Sequence, residues 1–104
     1  MTRGVLVIRG AAKVLYVPVF DEDKDRAYTV LMEAMKRWES PGRKDPFYDR
    51  LDFYELADRM GKEQSGSHRF LGPEFVPFVP DEVFCDAAYV FTVDFDGRRI
   101  IVVK

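Results

Sequence analysis

The sequence predicts a single α+β domain over residues 1–104, built as a mainly antiparallel sheet from two β-hairpins with two central helices between them. Three observations carry this. Both ends are rich in Val, Ile, Leu and aromatic residues at strand-like length, a turn signal divides each end, and the middle shifts to helical spacing. A chain of 104 residues, 47% apolar and 33% charged, can bury a core of its own without disulfides or metals.

The first hairpin is read from Val5–Arg9 and Lys13–Phe20, with Gly10 and Ala11 breaking the run between them. From Asp25 to Glu39, Ala27, Tyr28, Leu31, Ala34, Met35 and Trp38 recur on one face of an amphipathic helix. Ser40-Pro41-Gly42 supplies its stop, since proline cannot continue the hydrogen-bond ladder and glycine tolerates the left-handed cap. The second helix has two available starts. One is Asp45-Pro46; the other is Asp52, with Glu55 three residues on in a capping-box pair. Gly61 sits where its C-cap belongs.

A structureless stretch from Lys62 to Asp86 would be long for a compact domain, so a further element is expected there. Residues 74–79, around Phe75-Val76-Pro77-Phe78-Val79, are the place for it. Pro77 confines such a strand to a sheet edge, and an extended segment lying over a hydrophobic surface fits equally well. The last hairpin runs from Ala88–Phe95 to Arg98–Lys104, with Asp96-Gly97 expected to form a tight type I′ turn.

Val5-Leu6-Val7-Ile8, Val14-Leu15-Tyr16-Val17 and Ile100-Ile101-Val102-Val103 are apolar at every position, so both faces of the sheet need cover. Three covers are available: helices split between the faces, the segment from Phe70 to Val79 folded back, or a second protein chain. This points to a protein-interaction or assembly module that self-associates or binds a protein partner, with Phe70, Phe75 and Phe78 as its contact residues.

Composition narrows the alternatives. Sixteen basic against eighteen acidic residues give a net charge of -2, which disfavours a nucleic-acid binder; Arg37, Arg43, Lys44 and Arg98 would be its contacts. Asp21, Asp23 and Asp25 resemble the start of a calcium loop. The sixth and twelfth positions hold Arg26 and Met32 instead of glycine and glutamate, so the acids are read as helix-capping residues. His68 is the single histidine. With Arg69 and Asp94 it could line a ligand pocket or small active site beneath the middle segment, although no nucleophile signature accompanies it. Tyr89, Phe91, Val93 and Phe95 share a strand face and are read as core contacts with the helices, because the RNA-recognition signature is missing. Cys85 is alone and is expected to be a small buried hydrophobe in a reducing compartment.

No Walker loop, dinucleotide fingerprint, HExxH pair or CxxC motif occurs, so no cofactor and no metal is expected and an enzyme is the weaker reading. No apolar run is long enough for a membrane span, and the expected location is cytoplasmic. The closing pattern Tyr89-x-x-x-x-Asp94-Phe95-x-x-Arg98-x-Ile100 resembles that of many small bacterial and phage proteins and implies no function.

Overall fold

A computed structural model of the chain describes residues 4–9, 13–18, 23–39, 46–64, 73–94 and 97–104. Among these, the elements follow the order β1 (Gly4–Arg9), β2 (Val14–Val17), α1 (Lys24–Arg37), α2 (Pro46–Gln64), β3 (Glu74–Val76), α3 (Asp81–Asp86), β4 (Tyr89–Asp94) and β5 (Arg99–Val102). The strands form one mixed sheet in the order β3-β2-β1-β4-β5. Both expected hairpins are present as antiparallel pairs, β1 with β2 and β4 with β5. They join through a parallel pairing of β1 with β4, from Gly4 opposite Tyr89 to Arg9 opposite Asp94. This is the α+β fold that the two ends and the helical middle predict.

Local chemistry sets the element boundaries. β2 stops at Val17 because Pro18 has no N–H to continue the ladder, so it is shorter than the apolar run implies. Asp23 caps α1: its Oδ1 accepts from the N–H groups of Asp25 at 3.0 Å and Arg26 at 3.2 Å. That helix ends at Arg37, two residues short of Glu39, where Trp38 turns extended with φ −65° and ψ 124°. The turn delivers the Trp38 ring edge-on to Phe53 of α2, with centroids 5.9 Å apart. Of the two starts available to α2, Pro46 is the one used, consistent with proline's preference for the first helical position. Gly61 does not end α2. The helix runs on to Gln64, and Lys62 pairs with Asp58 one turn back at 3.0 Å.

The middle segment contains two elements. β3 pairs antiparallel with β2 at the sheet edge, with Phe75 opposite Leu15, and ends before Pro77. The second, α3, was not legible in the sequence. It completes a crossover from β3 at one edge to β4, passing over β2 and β1.

Two of the three doubly apolar runs, those of β1 and β2, are covered from within the chain. Leu6, Ile8, Leu15, Val17, Tyr89, Phe91 and Val93 face α1 and α2, meeting Val30, Leu31, Phe53 and Ala57. On the other face Val5, Val7 and Val90 meet Ala87, Val79, Val83 and Phe84 of the α3 crossover. One of the expected covers, helices split between the two faces, is therefore present; of the segment from Phe70 to Val79, Val79 joins it, Phe78 is exposed, and residues 70–72 lie outside the described residues. The strand face of Tyr89, Phe91 and Val93 is core, as its missing recognition signature implied.

Candidate interaction surface

Sheet edges present unpaired backbone N–H and C=O groups, and proteins usually blunt them. The β3 edge is blunted: the strand has three residues and Pro77 follows. At the other edge, β5 pairs with β4 alone. Ile100 packs against the α1–α2 core, whereas Ile101, Val102 and, just beyond the strand, Val103 remain 43%, 50% and 52% exposed.

The register shows what this edge offers. Val102 lies opposite Phe91, and Ile100 opposite Val93, on the face packed by α1 and α2; Ile101 lies opposite Thr92 on the α3 face. Tyr28 of α1 meets Phe91, the residue opposite Val102, edge-on at 5.8 Å, and Met32 follows one turn along the same helix stripe. Both are more than a third exposed. Of the six large hydrophobic side chains exposed among the described residues, all but Phe78 lie on β5, on Val103 just beyond it, or on this stripe of α1. The Val103 N–H donates to the Val90 carbonyl at 2.9 Å. Backbone direction alternates along a strand, so the N–H and C=O of Ile100 and Val102 point away from the sheet toward an incoming strand.

Charge brackets the apolar stretch. Arg98 and Arg99 precede it and Lys104 follows. Arg99 Nη2 meets Asp94 Oδ2 at 3.1 Å, and Lys104 Nζ donates to the carbonyls of Phe84 and Cys85 at the end of α3. Asp96 of the expected Asp96-Gly97 type I′ turn lies outside the described residues. Asp94 pairs with Arg99, and Arg98, at φ 53°, takes the left-handed conformation. Asp94 Oδ1 accepts the Gly97 N–H at 3.1 Å, so its carboxylate serves the turn.

The other predicted site residues are dispersed. Phe75 is half-buried, packed against the first core, with the Arg50 guanidinium 5.6 Å above its ring. Phe78 is 69% exposed on the crossover that follows β3, at the far side of the sheet from β5. Phe70, His68, Arg69, Arg43 and Lys44 lie outside the described residues, as does Asp21 of the acidic run. Arg37 lines an open cleft of about 330 Å³ with Trp38, Asp52, Glu55 and Arg59, where acids offset the arginines. Cys85 is exposed on α3, contrary to the buried role expected of it, because that short helix turns Val83 and Phe84 inward. No group of His, Cys, Asp and Glu among the described residues could hold a metal, and no helix there is long and apolar enough to cross a membrane.

Sequence reasoning missed Arg50, which is buried in α2 and donates to the Lys13 carbonyl at the start of β2. Its signal was present, since Arg50 continues the spacing of Phe53, Ala57 and Met60 back by one turn.

The fold and its open edge define a class, a small α+β domain with one unprotected apolar strand. Comparison of the chain with protein-family models, curated proteins and solved structures finds no match.

Proposed function

We propose that this protein is a protein-interaction module whose β5 edge accepts an extended strand from another polypeptide. The observation that carries the reading is the coincidence, on one edge, of outward backbone groups at Ile100 and Val102 with exposed Ile101, Val102 and Val103. Main-chain hydrogen bonds would supply affinity, and alternate side chains lying against Tyr28 and Met32 on one face and Ile101 and Val103 on the other would supply selectivity.

A peptide-display selection on the immobilised protein, with Val102→Pro as the counter-target, tests it. Proline at Val102 removes an outward N–H and leaves the ladder to β4 in place, so circular dichroism should remain native. Enriched peptides should bind the wild-type protein and lose at least tenfold in affinity for Val102→Pro. Phe78→Lys should bind them unchanged. Binders indifferent to Val102→Pro, or a selection that enriches nothing while light scattering gives the 12.1 kDa monomer, would overturn the proposal.

A further inference from the structure

Resting on that reading, we infer that the occupant of the β5 edge is an extended segment with a β-branched apolar centre and acidic residues at both ends, rather than a second copy of this chain. The argument is electrostatic and geometric. The edge runs Arg98-Arg99, then four apolar residues, then Lys104, so cations flank the apolar stretch at each end.

Pairing with a second copy fails this pattern. Two β5 strands related by a two-fold axis must align antiparallel, with matching faces of their sheets on the same side. The register that pairs both outward positions, Ile100 with Val102 of the second copy, centres on Ile101. It brings the turn that carries Arg98, just before β5, beside Lys104 of that copy, twice over, and like charges brought together disfavour the pairing. Asp94 does not relieve the clash, because its carboxylate is held by Arg99 and Gly97 within its own hairpin. The exposed apolar area argues in the same direction. The five partly exposed side chains are divided between the two faces of the edge, three on the α1 side and two on the α3 side, so neither face offers the broad surface that a stable interface of roughly 800 Å² per partner requires. A single added strand needs only the outward backbone groups and these few side chains on either face.

A strand of opposite pattern meets every requirement. Acidic residues at its ends face Arg98 at one end, where Arg99 is paired with Asp94, and Lys104 at the other, whichever direction it runs. Its apolar residues fall alternately beside Val102, Tyr28 and Met32 and beside Ile101 and Val103.

The test uses two labelled synthetic peptides with the same alternating valine-threonine centre, one ended by pairs of glutamates and the other by pairs of lysines. Fluorescence anisotropy follows their binding to the full chain, and light scattering follows its mass. The glutamate-ended peptide should bind at least tenfold tighter at low salt. That preference should shrink severalfold at 0.5 M salt, on the order expected from screening, and Arg98→Glu should weaken it. Equal affinity for both peptides would overturn the acidic-partner inference and leave the strand-accepting edge standing. A concentration-dependent dimer abolished by Val102→Pro would do the same, with a second copy as occupant. A monomer that binds neither peptide overturns the inference; the display selection decides separately whether the edge accepts any strand.

Discussion

At the scale of single residues, the tightest constraint lies where the two hairpins meet. Gly4 opposes Tyr89 across the parallel pair, and a Cβ on Gly4 would overlap the Tyr89 ring, so glycine lets that ring lie across β1. Gly4→Ala should therefore cost about 1–3 kcal/mol through overpacking, read from denaturant midpoints at unchanged slope. Tyr54 gives a second residue-level prediction. Burial raises its phenol pKa above the ordinary 10.0, and Asp58 and Glu55 raise it further. The unfolded chain then loses this proton first. Stability associated with the neutral phenol is complete below pH 10 and falls as pH climbs from there through the higher folded value, by up to about 1.4 kcal/mol per pH unit. Lysines titrate in the same range, so the difference between wild type and Tyr54→Phe isolates the effect. Parallel stability curves above pH 10 would show that the phenol is not held neutral.

At the scale of elements, each hairpin and helix owes its limits to a few side chains. Pro18 ends β2, Asp23 starts α1, and the Trp38 turn ends it. The β4–β5 hairpin carries a local conflict, because Arg98 takes the positive φ while Gly97 beside it does not. A left-handed residue with a Cβ costs roughly 1–2 kcal/mol, and glycine returns about half of that as extra unfolded-state entropy. Arg98→Gly should thus stabilise the domain by about 0.5 kcal/mol, or roughly 2–4 °C in Tm for a chain of this size. Calorimetry showing a lower Tm would mean that the Arg98 side chain contributes more than its backbone costs.

At the scale of the whole molecule, two cores of unequal depth enclose one sheet. The α1–α2 side is thick and continuous, whereas the α3 side is a single short helix with Val79 and Ala87. Both layers centre on β2, β1 and β4. On β5 only Ile100 packs against the α1–α2 layer, and the exposure of Ile101, Val102 and Val103 follows from where the helices end. The apolar excess of the sequence thus divides: most of it is satisfied inside the chain, and the remainder is concentrated on one edge, where β-strand addition can use it.

The sequence by itself determined the class of fold, because period-two and period-3.6 patterns are local properties of the chain. It determined both hairpins, α1 and the need to cover both sheet faces, and it left residues 74–79 open between an edge strand and an extended segment, which the pairing of β3 with β2 decides. It could not reveal the β1–β4 pairing that joins the hairpins, since parallel register depends on partners 85 positions apart, which no local pattern encodes. Helix α3 was illegible because Asp81–Asp86 is too short to display a period. Phe75 and Phe78 looked equivalent as candidate contacts, and tertiary packing separated them by placing one beneath Arg50 and leaving the other in solvent. In the same way Ile101–Val103 read as one more buried strand end. Only the tertiary structure made it an open edge, because exposure depends on what lies beside a strand and above it.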